Sequence, residues 1–537
     1  MRTLTVVVGV ASVLSLALTA AAGEQISTFP RAPASAGAPQ DARMFEGFEF
    51  SGNTVFTDEA LAGVLMSYQG KPVDQRQLSD MANKVAYYYR DRGYLARVAA
   101  AGDAGTAKLQ VTESKVGELS IKREKGPKRY SDGFLRDHFA AIRPGAVWSM
   151  DDLERSVLLV QGLPAMGRVK AELREGAEGE GTTDITILVE ENPDQISGEV
   201  AFDTFGSPDV SRERVSEKAL YGNLSGRGDD LSLQIVHGPD PTELLFGEFR
   251  YDVPLNAKGT RVAVYGRAGD FEVGRNFALL GLAGDGVGYG IVATHPLVRS
   301  KRRTLEAQFG FDAEDAKLKS GLFDTETSND KIRAIRLGAN YDEVTSAGKT
   351  RNIATLTLHQ GLDDWLGGME SGASSSRPPA DNKFTKITLE AARLRKLNDR
   401  LFLFSRLTGQ YANDSLVVGE QMAIGGANSV RGFTQSEFLG DSGVRANVEL
   451  RYTPSWGKKP GWLADFQGVC FVDHGSVWLK HPASGEPDSH RITGVGVGFR
   501  AMLKCNVAIR ADLGYGLTQA SSGGGRLQPY VEVRKPL

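Results

Sequence analysis

The sequence predicts two small α+β units followed by one large antiparallel β-barrel of the outer-membrane kind. Between about 43 and 190, a helical period alternates with strand patterns, and this happens twice. From about 195 to the end at 537 the helical period is gone. A long succession of alternating apolar and polar segments replaces it, broken by Gly, Asp, Asn, Ser and Pro clusters. A soluble β-sandwich alternates too, with its apolar face inward. This run is longer than one sandwich usually is. Its polar face carries Arg and Asp in mid-strand, as a wet lumen permits. At roughly 21 residues per strand and connection, the region holds an even barrel of about 14–18 strands.

Residues 1–22 read as a secretory signal peptide: Arg2 as the charged start, Val6 to Leu18 as the apolar core, and Ala20-Ala21-Ala22 as the cleavage site. Residues 23–42 are Ala/Pro/Ser-rich, with Pro30, Pro33 and Pro39, and read as a flexible linker without an amphipathic face. The first α+β unit spans 43–114. Phe48 and Phe50 alternate with Glu49. Leu78, Met81, Val85 and Tyr89 fall on one helical face over 75–92, behind a capping box of Asp74 and Gln77. Strand patterns follow at 95–100 and 107–113. The second unit, 115–192, repeats the order. It has strands at 117–123, 167–173 and 183–191, a short helix at 131–139, and an amphipathic helix at 149–163 carrying Leu153, Val157, Leu158 and Leu163. The barrel takes 193–537, with Leu231–Ile235, Ala354–Leu358, Thr493–Phe499 and Val507–Leu513 as representative strands.

Composition narrows the function classes. A hydrophobic fraction of 41% with 24% charged residues excludes a helical membrane bundle, and a net charge of −3 without Lys/Arg blocks gives no sign of nucleic-acid binding. The seven His residues are scattered without ligand spacing, so neither a metal site nor a cofactor is expected. Cys470 and Cys505 make neither a disulfide framework nor a metal-ligand spacing and are expected to stay unbridged. Gly440-Asp441-Ser442-Gly443 looks like a polar turn rather than a nucleophile motif, because no His partners it. No catalytic residue is expected. The period-two glycines Gly284 to Gly290 and Gly494 to Gly498 belong to strands with one bare face, which leaves room for something else to approach.

The segment 416–452 is the most specific. Ile424-Gly425-Gly426, then Ser429-Val430-Arg431-Gly432-Phe433, then a strand from Val444 to Tyr452, resembles the long loop of the BamA and two-partner-secretion superfamily, whose hallmark is Val-Arg-Gly-Phe/Tyr. Phe471-Val472-Asp473-His474-Gly475 is similar to its Phe-x-Asp-x-Gly strand motif. Gln161-Gly162-Leu163-Pro164 and Gly181-Thr182-Thr183-Asp184 resemble the POTRA domain of the ShlB/FhaC/HecB type, the haemolysin secretion/activation (TpsB) proteins. The resemblance covers about 43–537, and the family's strand order implies that Cys470 and Cys505 fall on strands separated by one neighbour. Two departures stand out: the chain ends in Lys535-Pro536-Leu537 rather than an aromatic residue, and 23–42 does not match the plug helix of some members.

Taken alone, Arg431 reads as a solvated loop arginine and Asp473 as a strand-end carboxylate. The resemblance implies instead that the loop motif Val430, Arg431, Gly432, Phe433 folds into the lumen. There Arg431 would meet Asp473 of the strand motif Phe471, Asp473, Gly475. It further implies a 16-stranded transmembrane antiparallel β-barrel preceded by two periplasmic α+β POTRA domains in the outer membrane of a Gram-negative bacterium. The implied function is a pore that recognises an unfolded periplasmic partner, a secreted TpsA-type exoprotein, and translocates it to the cell surface. Outer-membrane lipid surrounds such a barrel, and the assembly machinery inserts it. The alternative is a BamA/TamA-like factor that inserts other barrels. Two POTRA units favour the transporter, since BamA usually has five and TamA three.

Overall fold

The computed structural model describes residues 43–537 apart from 104, 125, 178, 180, 275–278, 346, 371–373, 456–459 and 519–526. The expected signal peptide (1–22) and linker (23–42) therefore lie outside the described residues. The described chain falls into two compact units, 43–162 with 166–192, and 163–165 with 193–537.

The first unit begins with β1 (Arg43–Ser51), α1 (Asp58–Leu65), the short β2 (Pro72–Val73), α2 (Gln75–Asp91), β3 (Ala96–Asp103) and β4 (Gly105–Glu113). The sheet order is β2-β1-β4-β3, with β1 and β4 parallel. Asp74 and Gln77 form the capping box expected of them, and Leu78, Met81, Val85 and Tyr89 bury the predicted face. Glu113, at the end of β4, closes this fold. Its carboxylate accepts the Thr54 hydroxyl, the backbone N–H of Val55 (2.9 Å) and Thr54 (2.7 Å), and the Tyr89 hydroxyl (2.8 Å). Burial pushes the carboxyl up, but these bonds outweigh it and hold it below the usual carboxylate range.

The same plan recurs in β5 (Lys115–Arg123), α3 (Asp132–Asp137), α4 (Met150–Gln161), β6 (Met166–Glu175) and β7 (Thr182–Glu191), with sheet order β5-β7-β6. Glu191 ends β7 as Glu113 ends β4, accepting the Arg129 N–H (2.8 Å) and pairing with Arg123. Burial pushes the His138 imidazole below its ordinary value, against the Phe134 carbonyl at 2.9 Å. One residue, Ser114, joins the two sheets. It is stitched on both sides: its N–H donates to Leu95 O (2.8 Å) and its hydroxyl meets Thr183 Oγ1 (2.7 Å). Across the same joint Met150 N–H donates to Gly93 O (2.6 Å).

The other unit is a closed antiparallel barrel of sixteen strands. These are β8 (Ile196–Asp203), β9 (Arg214–Gly222), β10 (Asp230–His237), β11 (Leu244–Pro254), β12 (Arg261–Glu272), β13 (Leu282–Arg299), β14 (Arg303–Ser320) and β15 (Thr325–Val344). Then come β16 (Thr350–Gly361), β17 (Thr385–Lys396) and β18 (Leu401–Ala412). After a hairpin of β19 (Met422–Ile424) and β20 (Phe438–Gly440), the wall resumes with β21 (Ser442–Tyr452), β22 (Leu463–Trp478), β23 (Ser489–Leu503), β24 (Ala508–Gly516) and β25 (Leu527–Pro536). β25 closes on β8 through five residue pairs, Glu532↔Asp203 to Pro536↔Glu199. Alternation puts Leu233, Ile235, Val264, Leu337 and Val472 on the exposed outer face, with charged and small residues inside.

Two expectations need correction. Cys505 is not on a strand: it lies in the turn between β23 and β24, while Cys470 sits on β22, which pairs directly with β23. Both thiols are free and exposed. Gly440-Asp441-Ser442-Gly443 is no simple turn. Asp441 is 0% exposed and accepts from Arg377 Nη1 (2.7 and 2.8 Å), Leu416 N (2.9 Å), Gln421 Nε2 (3.1 Å) and Lys480 N (2.6 Å). A buried carboxylate needs that many donors, and they come from its own segment between β18 and β21 and from the β16–β17 and β22–β23 connections.

Candidate functional site

The segment 413–441, between β18 and β21, folds back into the lumen, with the β19–β20 hairpin at its base. Gly426 N–H donates to Val430 O (3.1 Å), and Ser429 Oγ accepts Gly425 N–H (3.1 Å), which makes a tight turn before the tip. Val430 and Phe433 are buried with Met422, Ile424, Val477 and Ile492 in an apolar cluster that fixes the loop to the wall. Gly432 has φ +99°, a conformation open to glycine and costly for other residues.

Register explains what the tip meets. Asp473 on β22 pairs with Asn447 of β21 and Gly494 of β23, and Phe471 pairs with Glu449 and Gly496. Gly498 pairs with Asp512 of β24. All of these lie on the inner face, since the intervening Val472 is 52% exposed while Asp473 is 0% exposed.

Arg431, 2% exposed, fills this position. Its Nε and Nη2 make a two-pronged contact with Asp473 (2.7 and 2.9 Å), and its own backbone N–H adds a third bond (3.1 Å). Nη1 reaches Glu449 (2.7 Å) and Asp512 (3.3 Å), and the guanidinium lies 3.4 Å from the centre of the Phe471 ring. Asn447 Nδ2 supplies a fourth bond to Asp473 (2.8 Å). Around this core Arg451 pairs with Glu449 (2.7 Å), while Arg500 and Arg510 pair with Asp512 (2.6 and 2.9 Å). Arg510 also donates to Ala427 O and the Asn428 side chain of the loop (2.8 and 2.9 Å). A desolvated charge is tolerable only when matched in this way.

The bare glycine face of β23 has a visitor. A Cβ on Gly494 would collide with the Arg431 carbonyl oxygen, and one on Gly514 would stand 2.8 Å from the Arg431 carbonyl carbon. The loop backbone therefore rests directly on the wall. Gly284, Gly288 and Gly290 on β13 differ: Phe271, Arg267 and Tyr265 of the neighbouring β12 lie over them in that order. Tyr530 of β25 completes the cradle, its hydroxyl accepting Gly432 N–H (3.0 Å) and donating to Phe433 O (2.6 Å).

The motif residues Val430, Arg431, Gly432 and Phe433 thus meet Phe471, Asp473 and Gly475 in one cluster. Sequence reasoning missed Glu449, Asp512, Asn447, Tyr530 and Asp441. Only Glu449 and Asn447 carried a signal, as polar residues at period two in the strand that follows the loop. Among the described residues no His/Cys/Asp/Glu group could hold a metal ion.

Comparison with known proteins agrees with this geometry. A family model described as haemolysin secretion/activation protein ShlB/FhaC/HecB matches residues 181–501, and a POTRA domain model of the ShlB type matches 45–114. The heme/hemopexin transporter protein HuxB of Haemophilus influenzae is 25% identical over 410 residues, covering 74% of this chain and 70% of its own. The structure of CdiB from Escherichia coli superposes with a TM-score of 0.77 at 19% identity, covering 94% of this chain and 93% of its own. BamA from Haemophilus ducreyi lacking POTRA domains 1–3 gives 0.54 at 12% identity, covering 93% and 100%. With a family model spanning more than half its length, the chain belongs to the ShlB/FhaC/HecB family of haemolysin secretion/activation proteins, outer-membrane barrels whose POTRA domains face the periplasm.

Proposed function

We propose that this chain is the transporter of a two-partner secretion system, carrying a secreted exoprotein from the periplasm to the cell surface. The observation that carries the reading is a closed barrel with a polar inner face, whose lumen is occupied by a loop of its own held by side-chain contacts. Such a plug is removable, so it suits a conduit that opens for cargo. The relatives point the same way, since HuxB is a heme/hemopexin transporter protein.

In this reading the unfolded passenger is recognised by the POTRA domains, adding as an extended strand to a sheet edge. It then threads the lumen as segment 413–441 withdraws, and folds outside. Arg431 and Asp473 are the latch between loop and wall, with Val430, Gly432 and Phe433 shaping the tip and Phe471 and Gly475 receiving it. Folding outside biases the motion, so neither nucleotide, cofactor nor catalytic residue is invoked. The outward apolar face meets outer-membrane lipid, and the cell's assembly machinery inserts the barrel. The BamA-like alternative shares the fold but fits less closely.

Deletion of the gene followed by comparison of surface and culture-fluid proteins tests the reading. One or a few large proteins should disappear from the outside while other barrels assemble normally. A general loss of outer-membrane barrels would transfer the chain to the insertase class.

A further inference from the structure

We propose that Arg445 is a waiting counter-ion: unpaired while the loop is docked, it takes Asp473 once Arg431 has left, and so sets how readily the loop withdraws. This rests on the reading that the loop leaves the lumen during transport.

The argument starts from what withdrawal does to Asp473. Of its four hydrogen bonds, three come from Arg431 and one from Asn447. Removing the loop strips three bonds from a carboxylate set in the wall. An open state of low energy therefore needs a second cation within reach.

Arg445 is that cation. It is 3% exposed, and among the described residues its side chain makes a single hydrogen bond, Nη2 to Thr408 Oγ1 at 3.3 Å. Its Nε is buried without a partner. The other arginines around the latch, Arg451, Arg500 and Arg510, all hold carboxylates. Arg445 sits on β21 opposite Gly475, while Asn447, two residues on, sits opposite Asp473. Arg445 and Asp473 are therefore diagonal neighbours on one face of adjacent strands, a separation that long side chains span. Gly475 has no side chain to stand between them.

The seal over this spot belongs to the loop. A Cβ on Gly475 would stand 3.0 Å from both Ile424 Cγ2 and Val430 Cγ2. The apolar residues that dock the loop thus cover the neighbourhood of Arg445, and its burial without a carboxylate in hydrogen-bond contact is a cost of the docked state. Two opposed terms result. The Arg431 cluster holds the loop in, and the stranded Arg445 pushes toward release. Removing Arg445 should tighten the latch, whereas removing a merely structural arginine would loosen the fold or do nothing.

The test uses the full-length protein in lipid vesicles, with Cys470→Ser and Cys505→Ser and a reporter thiol from Ser429→Cys in the buried turn of the loop. A water-soluble maleimide labels that thiol only when the loop is out, so the rate reads the exposed fraction. Arg431→Ala should accelerate labelling. Arg445→Met and Arg445→Gln should each slow it by about fivefold or more, the low end of what an unpaired buried polar group costs. Arg445→Lys, which keeps the charge, should stay near the parent rate. Heat-modifiable migration identifies folded variants, and the Gln variant serves if the Met variant fails to insert. If Arg431→Ala does not speed labelling, the reading of a withdrawable loop fails first. If it does, while folded Arg445→Met or Arg445→Gln label at the parent rate or faster, the counter-ion role is wrong. Equal slowing by Arg445→Lys would assign the effect to shape rather than charge and would overturn it too.

Discussion

Arg431 donates to three carboxylates, so the residues around it lose unequal amounts when it is replaced. Asp473→Ala leaves the guanidinium Glu449 and Asp512. Arg431→Ala takes three of the four hydrogen bonds from Asp473 and an ionic partner each from Glu449 and Asp512, and should be the more damaging change, by about 3–5 kcal/mol, as for breaking a buried pair. Secretion should fall strongly with Arg431→Ala and less with Asp473→Ala, while both proteins still run as folded barrels on heat-modifiability gels. Equal losses would mean that the other two carboxylates contribute nothing. Gly494→Ala is the sharper probe, because it leaves every charged partner intact and drives a methyl into the Arg431 carbonyl. It should mimic Arg431→Ala, whereas Gly468→Ala, with nothing near its Cβ, should secrete normally. The contact between Arg431 and Asp473 could be anticipated because both residues sit in linear motifs. Asp512 and Tyr530 were not, because they reach the tip only through a register of β22 to β25 that no local pattern states.

Single elements were legible where local chemistry is sufficient. α2 announces itself through its capping box and four residues on one face, and α4 through Ser149, whose hydroxyl accepts Asp152 N–H (3.0 Å). The β19–β20 hairpin was not foreseen, since three-residue strands carry no period to read. In the second POTRA-like unit, His138 next to the C-terminus of α3 makes that element acid-sensitive. Its folded value lies below its unfolded one of ~6.5, so the fold binds fewer protons than the unfolded chain. Its contribution is therefore whole above that pH and lost as pH falls below it toward the depressed value. Hydrogen-exchange protection of 132–142, corrected for intrinsic rates, should drop between pH 7.5 and 5.5, and His138→Gln should flatten the dependence. Glu113 shifts the same way from a lower start of ~4.3, so the first unit should hold until more acid conditions. Simultaneous loss in both units would contradict this order.

For the whole molecule, length and alternation fixed an even barrel but not which strand closes it, because a period of two tells a strand its faces and not its partners. The wall has its own complete ladder from β8 round to β25. Removing residues 43–190 should accordingly leave a heat-modifiable barrel while export stops; continued export would take recognition away from the POTRA domains. The single residue between β4 and β5 has a mechanical consequence. Because Ser114, Thr183, Leu95, Gly93 and Met150 lash that joint from two sides, the two periplasmic sheets lack a free swivel. They behave as one stiff lever, and a tug on the first domain is felt as torque by the second instead of being absorbed in slack chain.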